Sequence, residues 1–408
     1  MTRKLGLFSG ILAACICFYG AKAHGQIDPY KRRLIQLGYN QPLEGKAPIS
    51  GYGFYYYNKP EFTAEDRTLR LAIAPIYIDA ELGFSELLGP NTDVAFGVAG
   101  GGFANTYSEI RRGRYIEEES FNGHGGNFSA SIYHRLNPGS EIPLWAVFRG
   151  EVGRSIFDED DTAANFELPP DHNYYSGRVG LRFGGREPSL TAPLAMELSA
   201  WYDYAFRDES EGYGFANDRN LENSTHAVWA RALLKYTFPS EQLFDVSFTV
   251  GTTFEADRFG AYRLGGVLPF GSEFPLSIPG YFYQELSAEN FVLLNGQYSI
   301  PLTPGKHWYA DLLAAGAYID YLPGLEMPGG HLHAGVGGGL TYASPRRSWF
   351  VTLVYGHGIR ALRSHGRGAN SVGVLFQYDF EARKHGRARP FTPGVGPYRS
   401  RAGERLFH

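Results

Sequence analysis

Apolar and polar residues alternate with a period of two along much of the chain. Between 244 and 255, most even positions carry aromatic or branched apolar residues, whereas the odd positions are polar, charged or glycine. A strand places successive side chains on opposite faces, while a helix would scatter both sets around its axis. The same alternation recurs over 174–184, 194–207 and 226–238, and more weakly over 127–136, 144–156 and 348–358. The pattern predicts an all-β protein.

The segments with this alternation number fourteen, which is an even number, as a single-chain transmembrane barrel requires. The predicted strands are 48–58, 68–84, 91–105, 124–136, 143–157, 172–184, 194–207, 224–238, 242–256, 287–301, 307–320, 331–343, 348–359 and 370–380. The alternation changes phase around Pro75, where a proline marks a bulge or an edge. An extra hairpin there, or within 28–47, would raise the number to sixteen.

The predicted connections are of two kinds, which alternate along the chain. Short ones are rich in turn residues, such as 137–140, 185–189, 239–241, 304–306 and 344–347, and longer, irregular ones cover 105–123, 157–172, 208–222, 258–286 and 359–369. Outer-membrane barrels have short periplasmic turns and long external loops. We therefore expect an antiparallel transmembrane β-barrel with both termini in the periplasm.

The composition and the first residues agree with export to an outer membrane. The chain has 28 Tyr, 29 Phe, 5 Trp and 52 Gly, which suits aromatic girdles and curved strands. Arg3 and Lys4 precede an apolar run, and an A-x-A site ends at Ala23, as in a secretory signal peptide. The alternative is a lipoprotein signal with Cys15 as the lipidated residue. Cleavage after Ala23 would leave no cysteine, because Cys15 and Cys17 both precede it.

These features predict a signal peptide at 1–23, a short periplasmic segment at 24–47, a barrel at 48–380 and a basic periplasmic tail at 381–408. The tail is expected either to bind an acidic partner, peptidoglycan or lipid headgroups, or to be a disordered extension. The net charge of -4 argues against a nucleic-acid partner.

Charged residues lie on the predicted lumen faces of several strands. They are Arg178, Arg182, Glu197, Asp203, Arg231, Lys235, Asp245 and Glu255. Two interpretations stay open: the cations select anions, or the charges form a static salt network.

No catalytic constellation stands out, and we expect neither an enzyme nor a cofactor. No Gly-x-Ser-x-Gly elbow is present. His331 and His333 share one strand face, which suits a metal, but a polar pair at a strand end is the simpler interpretation. The acidic run 158–161 is interpreted as a solvated loop rather than a calcium site.

The last predicted strand ends in alternate aromatic residues. Gly373, Phe376, Tyr378 and Phe380 have the spacing of the β-signal by which outer-membrane barrels are recognised for insertion. An ordinary amphipathic strand is the alternative.

The stretch 257–380 resembles the C-terminal third of the surface-antigen barrel superfamily, which includes the BamA and TamA assembly factors, the two-partner-secretion translocators and the barrels of patatin-type lipases. The matching residues in the long loop are Arg263, Gly265, Gly266, Pro279, Gly280 and Tyr281, followed by the strand 295–302, the segments 314–316 and 335–340, and the closing strand. The resemblance implies that this loop folds back into the lumen.

Three positions depart from the family pattern. Pro279 stands where the family has the loop Arg, Ala314 where it has the Asp that meets this Arg, and Gln297 where it has a Glu. Asp311 is not expected to replace the Asp, because an offset of three residues changes the strand face. These departures put an insertase or secretion mechanism in doubt, and the 24 residues before the first predicted strand leave no room for the family's periplasmic POTRA domains.

Three functions follow as hypotheses. The first is a component or partner in outer-membrane protein assembly or export, in contact with outer-membrane lipid and a periplasmic or outer-membrane protein. The second is a passive diffusion pore for small solutes. The third is a plugged scaffolding barrel whose tail recruits a partner.

Overall fold

Backbone pairing closes the chain into a barrel. The computed structural model of the protein describes residues 31–140, 142–159, 161–184, 194–268, 275–326 and 330–385. Eighteen strands form one antiparallel sheet, and two of them pair only with an end of another strand, so sixteen make up the closed barrel. Because every barrel strand has two neighbours, no backbone edge is left open.

The barrel strands follow one another in chain order. They are β1 (Arg32–Pro42), β2 (Ser50–Pro60), β3 (Arg67–Ala74), β4 (Tyr77–Phe84), β5 (Thr92–Gly101), β7 (Arg114–Arg135), β8 (Leu144–Asp158), β9 (His172–Gly184), β10 (Leu194–Arg207), β13 (Ser224–Thr237), β14 (Leu243–Phe254), β16 (Leu286–Pro301), β17 (Trp308–Tyr321), β18 (Leu332–Ala343), β19 (Trp349–Arg363) and β20 (Gly366–Asp379). The short strands are β6 (Tyr107–Arg111), β11 (Gly212–Tyr213), β12 (Arg219–Asn220) and β15 (Tyr262–Leu264).

The first and last strands form the seam of the barrel. β1 and β20 pair without interruption from Leu34 opposite Asp379 to Pro42 opposite Ser371. The side chains of Gln36 and Gln377 are joined across this seam by a hydrogen bond of 2.7 Å. β1 begins and β20 ends at the same end of the barrel, which we call the terminal end; the opposite end is the loop end.

The alternation found in the sequence separates the two faces of the wall. Large apolar residues such as Phe148, Leu198, Phe248 and Leu353 are exposed on the outward face. Charged and small residues line the lumen together with buried aromatic residues such as Trp201. At the terminal end, Trp308, Tyr342 and Trp349 form an aromatic cluster with ring centroids 4.8 and 5.4 Å apart. An apolar outer band with aromatic residues near its edge is the arrangement of a transmembrane barrel.

The predicted β-barrel is confirmed, and the number of strands is sixteen rather than fourteen. The additional strands lie in the two regions identified as uncertain. β1 occupies 32–42, so the expected periplasmic segment 24–47 contains a barrel strand. The predicted strand 68–84 is a hairpin, because Pro75 and Ile76 form a tight turn between β3 and β4.

Two predicted external loops are also mostly strand. The region 359–369 belongs to β19 and β20, which join through a two-residue turn at Ser364 and His365. The region 105–123 forms a hairpin of β6 with the first part of β7. Both hairpins extend beyond the apolar outer band, where alternation no longer distinguishes lipid from lumen.

A short helix follows the last strand. α1 (Phe380–His385) begins where Oδ1 of Asp379 accepts hydrogen bonds from the amides of Glu381 and Ala382, at 2.8 and 2.9 Å. The expected signal peptide, the turn 185–189 and most of the basic tail lie outside the described residues. No described helix is long and apolar enough to cross a membrane.

Candidate functional site

The loop between β14 and β16 is a folded element in its described parts, residues 255–268 and 275–285, and we call it the inward loop. It starts with a turn in which Oδ1 of Asp257 accepts the amides of Phe259 and Gly260 at 2.9 and 2.7 Å. β15 then pairs with the first residues of β16. Gly265 and Gly266 reverse the chain with φ angles of +136° and +59°. Left-handed backbone of this kind favours glycine, so these two residues set the reversal.

The second half of the inward loop lies against the lumen face of β18, β19 and β20. A Cβ at Gly335 would lie 2.2 Å from the carbonyl oxygen of Pro279, and one at Gly356 would lie 2.7 Å from the amide of Gly280. Gly280 itself has a φ of +80°, and a Cβ there would lie 1.9 Å from the amide nitrogen of Gly358. Glycines on both sides therefore permit a backbone-to-backbone contact that any side chain would block.

Polar contacts attach the inward loop to the wall. The hydroxyl of Tyr281 lies 2.9 Å from Nδ1 of His333, and the hydroxyl of Tyr321 bonds the other ring nitrogen. Arg363 donates to both carboxylate oxygens of Glu285, at 2.8 and 3.0 Å. All five side chains are buried or nearly so. His333, Glu285 and Arg363 were not identified as loop anchors from the sequence, because no local pattern links positions this far apart.

The Arg363 guanidinium also stacks over Phe282, 3.6 Å from the ring centroid. Near the other limb of the loop, Nδ2 of Asn40 donates to the carbonyl of Val267 at 3.2 Å, which links the loop to β1. Arg263 donates to the carbonyls of Ser108 and Gln284 at 2.6 and 3.1 Å. The predicted loop residues thus form one packed unit inside the barrel.

Asp311 and Ala314 lie on opposite faces of β17, as predicted, but the expectation that Ala314 takes the lumen position of the family's Asp was wrong. Asp311 is buried on the lumen side of β17, whereas Ala314 lies on the outward face. The carboxylate accepts from Ser299 and, at 2.7 Å, from Thr341. Gln297 is on the same lumen face and donates to Ser299 at 3.3 Å. Asp311 is therefore the carboxyl group that this strand presents to the lumen.

The predicted lumen charges pair with each other across neighbouring strands. Glu197 lies between Arg182 at 2.9 Å and Arg231 at 3.0 Å, and all three side chains are buried. Lys235 lies 3.8 Å from Asp245. Glu255 was placed wrongly, because it lies past the end of β14 with a φ of +55° and is exposed, 3.1 Å from the hydroxyl of Ser224.

Arg178 and Asp203 form a further pair at 2.5 Å in the same wall. Asp203 also accepts from the indole of Trp229 at 2.9 Å, and the Arg178 guanidinium lies over the stacked rings of Trp201 and Trp229. These partners favour the static salt network over a row of cations that selects anions. In one part of the lumen, charged side chains are therefore neutralised by their partners. Another part of the lumen wall is covered by the inward loop.

The loop end of the barrel is covered by a cluster that we call the cap. Its apolar part consists of Tyr107, Phe121, Phe157, Phe166, Tyr213 and Leu221, with Phe259 packed against it. These residues come from the β6–β7 hairpin, from β8, and from the loops that follow β8, β10 and β14. Rings from separate segments pack edge to face with centroids 5.5 and 6.4 Å apart, which is favourable for aromatic pairs.

Glu109 is the charged centre of the cap. It is fully buried and lies 3.1 Å from Arg258, 3.6 Å from Arg219 and 2.6 Å from the hydroxyl of Tyr107. Burial by itself raises the pKa of this carboxyl. The two arginines and the hydroxyl lower the pKa by more than burial raises it, so the net shift is downwards. Glu119 bonds both Arg111 and Arg219. The cap was not predicted, because its residues come from five separate segments.

The residues of the proposed β-signal lie on both faces of β20 and at the start of α1. Gly373 faces the lumen, Phe376 and Tyr378 face outward, and Phe380 is the first residue of α1 rather than part of the strand.

The candidate metal ligands lie in different surroundings. His331 is exposed, 4.0 Å from Asp320. In the acidic run, Asp158 pairs with His124 at 2.8 Å, and Asp160 lies outside the described residues. No group of three or more metal-ligating side chains occurs in the described parts of the chain.

Comparison of whole structures identifies similar barrels. The chain resembles CdiB from Acinetobacter baumannii with a TM-score of 0.57 and 9% identity, covering 86% of this chain and 60% of that one. It resembles CdiB from Escherichia coli with a TM-score of 0.56 and 11% identity, covering 85% and 63%. For BamA from Haemophilus ducreyi lacking POTRA domains 1–3, the values are 0.54, 9%, 86% and 71%.

The chain thus spans less than two thirds of the CdiB chains. No protein-family model matches it, and no curated protein matches it in sequence. With identities near one tenth, the likeness defines the fold: a barrel of the kind seen in BamA and CdiB. This agrees with the fold implied by the resemblance in 257–380.

Proposed function

We propose that this protein is an outer-membrane barrel of a Gram-negative-type bacterium that takes part in the assembly or export of other proteins. The observation that carries the proposal is the inward loop, whose Pro279–Gly280 turn lies on glycines of β18 and β19. A loop folded into the lumen is what the surface-antigen resemblance implies. The barrel likeness to BamA and CdiB supports the same class of protein.

The proposal places the terminal end in the periplasm and the loop end outside the cell. The short connections 136–143, 238–242, 302–307 and 344–348 then face the periplasm, as in bacterial outer-membrane barrels. The outward apolar face contacts outer-membrane lipid. A protein partner would approach from the periplasm or within the membrane, and the basic residues that follow α1 are one candidate for such a contact.

The seam is where this proposal is most directly testable. The paired β1 and β20 would have to separate for a client strand to enter the wall. Gln36 and Gln377 are directly opposite, and opposed antiparallel residues are about 4.5–5.5 Å apart at Cα, within the range that a disulfide spans. The Q36C/Q377C variant would therefore lock the seam in an oxidising periplasm.

The experiment compares outer-membrane and secreted proteomes of cells with the barrel present, deleted or locked. We expect deletion to reduce a defined set of proteins, the lock to reduce the same set, and a reductant to restore it. Q36C/F54C, which joins β1 to β2 away from the seam, is the matched control and should behave as wild type. A proteome unchanged by deletion would contradict a role in assembly or export.

A closed scaffolding barrel is the second candidate, and the seam itself favours it. Nine consecutive pairs join β1 and β20, as many as join β1 and β2. If deletion alters the proteome but the locked variant is fully active, the seam does not open during function. The barrel would then act as a rigid platform rather than as a wall that admits clients.

A further inference from the structure

Two hairpin tips meet at the loop end of the barrel. The β6–β7 tip turns at Arg112 and Gly113, which have φ angles of +53° and +71°. The β19–β20 tip turns at Ser364 and His365. A Cβ at Gly113 would lie 1.8 Å from the carbonyl oxygen of Leu362, so the two tips are in direct backbone contact. This contact joins residues that are about 250 positions apart in sequence.

The joined tips present exposed cations. Arg112 and Arg114 on one tip and Arg367 on the other are exposed. His365, at the turn of the second tip, is exposed as well. None of the three arginines has a carboxylate within 4.0 Å among the described residues. By contrast, the nearby Arg111 pairs with Glu119 and Arg363 pairs with Glu285. We call Arg112, Arg114 and Arg367 the tip arginines.

Glu326, on the loop between β17 and β18, is close enough to Arg112 for its carboxyl to be affected. Backbone amides of Glu326 and Gly324 lower the pKa of the exposed Glu326 carboxyl, and Arg112 adds to this effect. The contact does not reach ion-pair distance. The tip residues 112–114 and 364–367 include three arginines and no carboxylate, so the tips themselves carry a net positive charge.

We propose that the tip arginines bind the phosphate groups of lipid headgroups in the outer leaflet. The membrane placement is that of the proposed function, whereas a role in assembly or export is not required. Arginine is suited to phosphate because its planar guanidinium donates two parallel hydrogen bonds. Clusters of basic residues at a membrane surface attract anionic lipid.

The height of the tips fits this partner. Val372 on β20 is an exposed apolar residue of the outward face, and Arg367 precedes it by five residues, towards the loop end. With a rise of about 3.3 Å per residue and a tilt of about 40°, this step is roughly 13 Å along the barrel axis. The polar layer of a bilayer is about 5–8 Å thick on each side, and an arginine side chain can bend back to reach it.

The test uses the full chain in a mild detergent and measures bound lipid by native mass spectrometry. The probes are a diphosphorylated lipid A and its dephosphorylated form. We expect the wild type to prefer the phosphorylated probe and R112Q/R114Q/R367Q to lose that preference. At about fivefold per arginine, the loss for three is on the order of 100-fold. The control is K59Q/R346Q/R383Q, which removes as many cations at the terminal end and should not change binding.

Several outcomes would overturn the proposal. They are a wild type that binds both probes equally, a triple variant that binds as the wild type does, or a triple variant that loses only binding of a soluble polyanion such as heparin. The shift of folded barrel on an unheated gel confirms that each variant is intact. The triple variant should still support the proteome of wild-type cells, so failure of the lipid proposal and failure of the proposed function are distinguishable.

Discussion

Glycine positions on the lumen face of β18 and β19 decide where the inward loop can rest. Gly335, Gly337, Gly356 and Gly358 all lie beneath the Pro279–Gly280 turn or the ring of Tyr281. Glycine within a strand weakens it by removing side-chain packing, and it often marks a close backbone approach. Here the cost to the strands is offset by burial of the loop, whose residues Ile278, Tyr281 and Phe282 have no exposed surface.

Replacing Gly335 by valine should displace the inward loop. The new side chain would begin 2.2 Å from the carbonyl oxygen of Pro279, a backbone atom that cannot move without the loop. We expect a loss of about 1–3 kcal/mol in the free energy of unfolding, as for overpacked sites, measured by urea titration of the refolded barrel. Protease cleavage within 255–285 should increase in parallel.

Gly316 provides the control, because it lies on the neighbouring strand and no atom lies within 4 Å of a Cβ built there. G316V should therefore leave stability and protease resistance close to wild type. Equal effects of the two variants would mean that the loop contact does not stabilise the barrel.

The family resemblance pointed to the loop residues, but it did not fix the face of every wall residue. The resemblance aligned Ala314 with the family's Asp, although strand parity fixes Asp311 on the lumen side, next to Ser299 and Thr341. An alignment offset of an odd number of residues, here three, exchanges the faces of a strand. The partners that attach the loop, His333 and Arg363, were out of reach for a different reason: only the folded barrel brings them to 255–285.

At the scale of elements, alternation was reliable where one face meets lipid. It located β14 within two residues, because Phe244, Val246 and Phe248 have no reason to be apolar except an apolar exterior. β1 was missed because its lumen face carries Leu34 beside Gln36 and Asn40, so neither face is purely polar or apolar. The β6–β7 hairpin was called a loop because it lies beyond the membrane band.

The cap should loosen as the pH falls. The pKa of Glu109 is lowered in the folded protein, so its carboxylate stabilises the cap above the carboxyl's ordinary pKa of about 4.5, and this contribution is lost as the pH falls through the lower folded value. Hydrogen exchange of 107–121 should therefore accelerate, relative to the intrinsic rate, between about pH 4.5 and more acidic values. Exchange in β13 and β14 should not change.

The E109Q variant tests the assignment to this carboxyl. Glutamine keeps the size but removes the charge, which takes away the carboxylate that Arg258 pairs with and leaves Arg219 paired with Glu119. We expect faster exchange at neutral pH, with a cost of about 3–5 kcal/mol for breaking a buried pair, and no further acceleration on acidification. An unaltered acid response in this variant would assign the pH dependence to another group, such as Glu119.

At the scale of the whole molecule, two separate elements obstruct the lumen. The inward loop covers the wall formed by β18–β20, and the cap closes the loop end through residues from five segments. They are linked, since Arg263 of the loop donates to Ser108 of the hairpin and Arg258 pairs with Glu109. A passive pore would need a continuous water path past both. The sequence could raise this alternative but could not decide it, because the cap exists only in the folded chain.

Conductance in planar bilayers separates the two obstructions. We expect the wild type to show little steady current, and deletion of 267–284 alone to add little because the cap remains. Replacing 107–121 by a short Gly-Ser linker should give flickering current, because the loop still fills part of the lumen. Only the combined variant should conduct steadily, at a level greater than the sum of the single variants, since two barriers in series must both be removed.

Large steady current through the wild type would contradict this series arrangement and favour the passive pore. Full opening by the loop deletion alone would show instead that the cap is permeable and that the inward loop is the sole plug.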